Sequence, residues 1–510
     1  MSRVFLKQGI KQASILIAVA TISSQMLAVI REAIIAGFFG TSAEYDILLV
    51  ALAIPIMIGG IFFLAIPSAG IPYLQEQQAP FSRGKIFGTS FFGINSLLIL
   101  IVSLATFLVL PVFRGLLTSG MDAGSADLVI RYGRVFCLLI PFRAYEALFR
   151  ALLHIKHHFL FPAITILGFN TVAITILLIL FPSLGSTAFV MAWLAGSLVQ
   201  TLLVAIPAYL IYGHEKPAHG DTPFNRSGYV RYLGVIVLIE SVGLLVDPFD
   251  RFLCGIYLDA GYVSAAHYAN IVNLVPVRIF MHSMATALFP SLSERAARKD
   301  GAGLAGLYHK SIALGIMLII PVSVFFLLFR QEIVWILFER GAFVTRSRII
   351  TVEVLTYYLA GMFFSSMFFI QTRVFYALKA WRMLFIGRPL TLGVKIVIGL
   401  LLIRSDWAAA IGGGTMAMFV VSFILFEMYL VTRARLVYSP ADWRLIGKAV
   451  IGAAVAIALF IPVDTLAGDL IGIGRIPVMI VSGTIGFGGL AVMDQILGVS
   501  GLKLVNPRKA

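Results

Sequence analysis

Apolar residues run through this chain in long blocks, and the breaks between blocks are short and polar. A helix that crosses a bilayer needs about 20 mostly apolar residues, and about fourteen blocks meet that length. In the first half they lie at 10–39, 46–74, 86–113, 126–150, 158–181 and 186–212. In the second half they lie at 229–256, 262–290, 306–329, 350–378, 383–403, 408–432, 443–463 and 474–496. Gly40-Thr41-Ser42, residues 75–83, 213–226 and 294–303, and Ser439-Pro440 mark breaks. The pattern predicts an all-α integral membrane protein with no room for a soluble catalytic domain. The first block follows Arg3, Lys7 and Lys11 as the core of a secretory leader would, yet its apolar pattern continues to Arg31. A retained first span is therefore expected.

Composition agrees. Of 510 residues, 60% are hydrophobic and only 12% charged, and the mean hydropathy is +0.98. Soluble domains carry about 25% charged residues, so a water-soluble enzyme and a disordered chain are both excluded. The formal net charge of +15 would suggest nucleic acid in a soluble protein. Here the basic residues sit between apolar blocks, where they orient the chain in an anionic membrane. With a cytoplasmic N-terminus, the cytoplasmic segments hold Arg83, Lys85, Lys156, Lys216, Arg226, Arg231, Arg295, Arg298, Lys299, Lys379, Arg382, Arg433, Arg435 and Arg444, and the tail adds Lys503, Arg508 and Lys509. The opposite side holds Arg114, Arg404 and Arg475, and a cluster of Arg330, Arg340, Arg346 and Arg348. The bias predicts both termini in the cytoplasm. The cluster falls in a long loop, 330–348, whose apolar stretch 333–338 is expected to lie flat at the interface.

Cys137 and Cys254 lie in apolar stretches and read as ordinary buried thiols. The sequence has no G-x-x-x-x-G-K-[ST], H-E-x-x-H or G-x-S-x-G run. No cofactor, no metal and no catalytic activity are expected, and His154, His157 and His158 around Lys156 read as a basic interfacial patch. Energy for any transport would come from an ion gradient or the membrane potential.

Ionisable groups inside spans are costly and are candidate functional residues. Thr21, Ser24, Ala28 and Arg31 share one face of the first span, with Arg31 as an anion hook partnered by Glu32 or Asp46. Glu240, Asp247 and Arg251 share a face of the seventh, where Glu240 and Asp247 are candidates to bind a coupling cation or to sit in a solvated ion pair with Asp250 and Arg251. The eighth span offers Asn270, Asn273, Arg278 and His282, with Arg278 as a contact for an anionic headgroup. Arg388, Thr391 and Lys395 share a face of the eleventh, where Lys395 is either a second anion contact or a partner for Glu427. Pro55, Gly59, Gly60, Pro67, Gly70 and Pro72 allow the second span either to bend or to pack closely.

Residues 337–343, LFERGAF, resemble a signature of the MurJ/MviN family of lipid II flippases in the MOP exporter superfamily. Ile30-Arg31-Glu32-Ala33, Phe38-Phe39-Gly40, Asp46, residues 287–294 (ALFPSLSE) and residues 375–378 (FYAL) agree with it in the same order. The resemblance covers almost the whole chain. It implies two pseudo-symmetric six-helix lobes and two further helices: 1–212, a cytoplasmic linker 213–228, 229–432, and 433–510 with the tail. It implies a central cationic cavity for a pyrophosphate-linked sugar, a groove by the last two helices for the polyprenyl tail, and alternating access in the bacterial inner membrane. Arg31 and Asp46 keep family positions. The family pattern is departed from at Gln25, Gly59, Gly60, Leu64, Asn270-Ile271, Ala380 and Met383-Leu384.

The expected function is therefore a flippase for a polyprenyl-pyrophosphate-linked glycan, either a peptidoglycan precursor or an exopolysaccharide or O-antigen unit. A cation-coupled exporter of small drugs and a membrane scaffold without transport are the rivals. Expected partners are the lipid-linked glycan, membrane lipids and a coupling cation, without nucleic acid. The expected substrate-binding residues are Arg31, Asp46, Arg278, Ser24, Lys395 and Arg388, and Glu240 and Asp247 are the expected ion-coupling pair.

Overall fold

The structure is a computed structural model that describes residues 10–76, 90–156, 158, 160–213, 226–466 and 474–499. Arg83, Lys85, Lys216, most of the expected 213–228 linker and the basic tail lie outside the described residues. Helices follow one another in the order α1 (Ile10–Phe39), α2 (Ala43–Glu76), α3 (Ser90–Val109), α4 (Arg114–Leu117), α5 (Ala123–Phe136), α6 (Leu139–Ile155), α7 (Leu160–Leu184), α8 (Ser186–Gly213), α9 (Arg226–Leu244) and α10 (Val246–Tyr257). They continue as α11 (Tyr262–Pro276), α12 (Ser283–Ala297), α13 (Gly301–Leu328), α14 (Arg330–Phe338), α15 (Thr345–Ala360), α16 (Met362–Ala377), α17 (Trp381–Leu402), α18 (Gly414–Thr432), α19 (Pro440–Leu466) and α20 (Arg475–Leu497). Strands are absent among the described residues. Only helices satisfy their own backbone groups in hydrocarbon without closing a barrel.

Among the described residues eleven helical stretches are long and apolar enough to cross a membrane, or twelve if the bent pair α15 and α16 forms one span. The stretches 126–150 and 262–290 fall outside that set, so about fourteen is not reached on length and apolarity alone. Each is helical but broken. The first divides at Cys137 and Leu138 into α5 and α6, which carry Arg131, Arg134, Arg143, Glu146 and Arg150. The second passes through a π-helical turn, Val277–His282, directly after Pro276, which supplies no amide to the helix. A second π turn, Ala409–Gly413, leads into α18. The stretch 333–338 lies in α14, whose Glu332, Val334 and Phe338 are buried.

Contacts divide the chain into two compact units, 1–264 with 340–343, and 265–339 with 344–510. The sequence draws its boundary at 213–228, whereas in the structure α9 and α10 pack with the first unit, on α2. Within that unit α2 is central and meets α5, α6, α9 and α10, while α1 packs on α7, α7 on α8 and α8 on α6. Buried small residues explain the role of α2: Ala51, Ala53, Gly59, Ala65, Ala69 and Gly70 let neighbouring backbones approach. In lipid such close van der Waals packing replaces the hydrophobic drive. In the second unit α13 meets α15, α16 and α19, α19 meets α20, and α18 bridges α16 and α17. Phe325 of α13 packs against Phe460 and Phe487 at ring separations of 5.4 Å.

The signature run has a backbone explanation. Gly40 and Gly341 both have φ +56°, a region that side chains with a Cβ rarely adopt. A Cβ on Gly341 would run into the carbonyl of Gly37, and one on Gly40 into that of Ala342. The Ala342 amide donates to the Gly37 carbonyl at 2.8 Å. Residues 340–343 thus cross the end of α1 backbone against backbone.

Candidate functional site

The polar face of α1 builds the first part of a membrane-embedded site in the first unit. Arg31 pairs with buried Glu32, its sequence neighbour. Its other guanidinium nitrogen donates to Asn170 Oδ1 at 2.7 Å. Asn170 lies on α7 and donates in turn to the Ser24 carbonyl at 3.2 Å. The expected Ser24 hydroxyl is turned elsewhere, donating to the Ala20 carbonyl at 2.6 Å. The Thr21 side chain lies outside the described residues. The Arg31 guanidinium also sits 5.0 Å from the Trp193 ring centre and 5.3 Å from that of Phe169. A planar cation stacks well in this way. The charge of Arg31 is thus balanced within the protein by Glu32.

Asp46 does not partner Arg31. Both its oxygens accept backbone amides, Gly261 at 2.6 Å and Ser264 at 2.7 Å. It fastens the start of α2 to the first turn of α11, as a carboxylate suits the unsatisfied amides there.

The acidic candidates lie on two helices. Glu240 is half-buried on α9, and Asp247 is exposed on α10. The two helices meet at Leu245, whose backbone is itself helical, and 226–257 runs through as one apolar stretch of 32 residues. Arg251 donates to the Leu49 carbonyl at 2.6 Å and lies within electrostatic reach of Asp247, Tyr45, Asp250 and Glu32. Buried Asp250 was a secondary candidate in the sequence and is more enclosed than Glu240.

In the second unit Arg388, Thr391 and Lys395 are all buried on one face of α17, as their spacing predicts. Arg388 lies 5.6 Å from the Phe368 ring centre. Lys395 donates to the Thr415 hydroxyl of α18, not to Glu427. Thr415 and Glu427 are 12 residues apart, roughly 18 Å along the helix, so one ammonium cannot serve both. Glu427 instead accepts from the Tyr308 hydroxyl, from Tyr438 at 2.5 Å and from Gln371 at 3.2 Å. His309 stacks on Tyr438 at 3.8 Å and lies 3.1 Å from Asp442. Arg278 is exposed within the π turn. There the hydrogen bonds run i to i+5, so the four-residue step from Arg278 to His282 is not one α-helical turn. The His282 side chain lies outside the described residues.

Sequence reasoning missed one charged cluster. On α6, Glu146 is buried between Arg143, 3.5 Å away, and Arg150. The spacing i, i+3, i+7 is legible in the sequence, but the apolar block 126–150 around it masks the charges. No group of three or more His, Cys, Asp or Glu side chains among the described residues converges as metal ligands would.

Comparison with known proteins follows the same outline. A family model for lipid II flippase MurJ matches residues 35–468. The probable lipid II flippase MurJ of Aquifex aeolicus is 25% identical over 389 residues, covering 72% of each chain. That of Rhizobium meliloti is 25% identical over 471 residues, 88% of this chain and 86% of its own. Among solved structures, a lipid II flippase MurJ in an inward closed conformation has a TM-score of 0.79 at 19% identity, covering 96% of this chain and all of that one. An inward-facing multidrug resistance MATE family transporter of the MOP superfamily has a TM-score of 0.62 at 13% identity, covering 82% of this chain and 98% of its own. At these identities the structural likenesses speak for the fold alone.

Proposed function

The chain belongs to the lipid II flippase MurJ family, and from that premise we propose that it carries lipid II across the bacterial inner membrane by alternating access. The observation that carries this reading is the family match, which runs unbroken through both units, from residue 35 to residue 468. Fixed cations inside apolar helices support it: Arg31 in the first unit and Arg388 and Lys395 in the second are buried or half-buried where hydrocarbon would otherwise exclude charge. A pyrophosphate in low dielectric needs such partners.

In this reading Arg31, held by Asn170 and Glu32, meets the pyrophosphate, with Ser24 supporting Asn170. Arg278, Arg388 and Lys395 are the second unit's own candidates to contact an anionic headgroup. Asp46 acts by fixing α2 rather than by touching substrate. Glu240 and Asp247 bind the coupling cation. Both termini face the cytoplasm, in keeping with the basic residues of the short loops.

Rescue of cells depleted of their essential lipid II flippase tests the reading, with wild type and Arg31→Ala expressed to equal levels. Growth with wild type and failure with the variant is the expected result. Failure of inserted wild type would overturn lipid II as the substrate and point to another lipid-linked glycan.

A further inference from the structure

We propose that Arg143 and Arg150 on α6 form an anion subsite for the phosphate of a lipid headgroup, separate from Arg31. The proposal rests on the lipid-flippase reading above and adds a second place where the first unit holds phosphate.

Charge balance separates the two places. Arg31 faces one carboxylate, Glu32, and one neutral acceptor, Asn170. Arg143 and Arg150 share the single carboxylate of Glu146. Two guanidinium groups against one buried acid leave a net positive charge within helices that pack in a bilayer, and that charge needs an anion.

Geometry makes the cluster a receptive one. Both guanidinium groups lie over the same ring of α2, Arg143 4.5 Å and Arg150 5.0 Å from the Phe63 centre. Arg150 is further fixed by Thr165 of α7 at 3.0 Å, and its Nε is buried without a hydrogen-bond partner. Arg143 touches Glu146 only at 3.5 Å, is partly open and makes no other polar contact among the described residues. Its donors are therefore held in place, oriented by an aromatic face and largely unused. Guanidinium groups with spare donors match phosphate oxygens in shape and charge.

The seat for Arg143 is cut by a missing side chain. A Cβ on Gly59 of α2 would lie 3.2 Å from the Arg143 Cβ and 3.3 Å from its Cγ. The glycine lets the Arg143 stem lie against α2. Arg143 and position 59 therefore address the same space from two helices, and a cation placed at either one should serve it.

The phosphate can come from the carried lipid or from an anionic lipid of the bilayer, and one experiment separates them. Purified full-length wild type, Arg143→Gln, Arg150→Gln and the double change Gly59→Arg/Arg143→Gln are titrated with lipid II and, separately, with cardiolipin, by native mass spectrometry. Thermal unfolding checks that each is folded. Arg143→Gln leaves Glu146 paired with Arg150, so it is the variant expected to fold best. Loss of a charged hydrogen bond should weaken binding by about tenfold or more, and Gly59→Arg should recover most of it. A loss confined to lipid II identifies the carried lipid as the source. A loss confined to cardiolipin identifies the bilayer. Unchanged binding of both by folded Arg143→Gln and Arg150→Gln overturns the proposal, and wild type that flips lipid II would leave the proposed function standing in that case.

Discussion

Asp46 and Ser264 stand 218 residues apart in sequence and are joined by a 2.7 Å hydrogen bond from the Ser264 amide. The Gly261 amide takes the other carboxylate oxygen. A buried acid in a membrane span invites a transport role, but here both oxygens are occupied by backbone.

Asp46→Ala should therefore act on stability. Loss of a helix-start acceptor costs about 0.5–2 kcal/mol, and leaving two amides unsatisfied in a buried place takes the expected cost to the upper end. Asp46→Asn keeps one acceptor and should cost less. Thermal unfolding in detergent ranks the three proteins. A fully stable Asp46→Ala that has lost transport would contradict this role.

Gly341→Ala should be among the most damaging small substitutions in the chain. It combines a left-handed backbone, roughly 1–2 kcal/mol for a residue with a Cβ, with a collision against the Gly37 carbonyl. Gly393→Ala, in α17, is the matched control, because its Cβ would meet nothing within 4 Å. That change should be neutral or stabilising by up to about 1 kcal/mol. Yields of folded protein by fluorescence size-exclusion chromatography distinguish them.

Arg31 and Glu32 should show strong energetic coupling. Removing Arg31 alone takes from buried Glu32 the cation it pairs with directly, and loss of one partner of a buried pair costs up to about 3–5 kcal/mol. Arg31→Gln/Glu32→Gln should recover part of that loss in unfolding experiments. Transport should not recover with it, because the anion hook is gone. Additive single and double effects on stability would show that the pair is not coupled.

Glu427→Gln should destabilise the second unit despite its equal size. Three donors converge on the carboxylate, from Tyr308, Tyr438 and Gln371. An amide turns one acceptor into a donor facing them, at about 1–3 kcal/mol. Hydrogen exchange along α13 and α18 should rise in the variant, and an unchanged pattern would count against the network.

The helices were legible because an apolar block of span length has few other uses. The buried face of α17 was legible too, since Arg388, Thr391 and Lys395 obey one helical period. Glu32 was among the partners foreseen for Arg31 because it is adjacent. Asn170 was not, because a neutral residue 139 positions away carries no sign of the charge it will meet. The pairing of Lys395 with Glu427 failed on axial distance, which sequence proximity of two helices does not reveal. Arg143, Glu146 and Arg150 were readable as a spacing but were hidden by averaging over an apolar block. The irregular turn at Leu245, between Glu240 and Asp247, is flanked by Gly243 and by Pro248, which has no amide to give the Leu244 carbonyl. Family membership, by contrast, followed from a few residues, and one of them is now explained by backbone geometry at Gly341.

The wide turn at Ala409–Gly413 sets the angular phase of everything after it. One residue corresponds to about 100° of rotation in an α-helix, and a π turn spends an additional residue without advancing the α-helical count. Thr415 faces Lys395, and Glu427 faces Gln371, because that residue is present. Deleting it would leave every later residue of α18 chemically intact and swing the hydroxyl and the carboxylate away from their partners together. The chemistry of α18 is thus fixed by the length of the chain before it as much as by the side chains it carries.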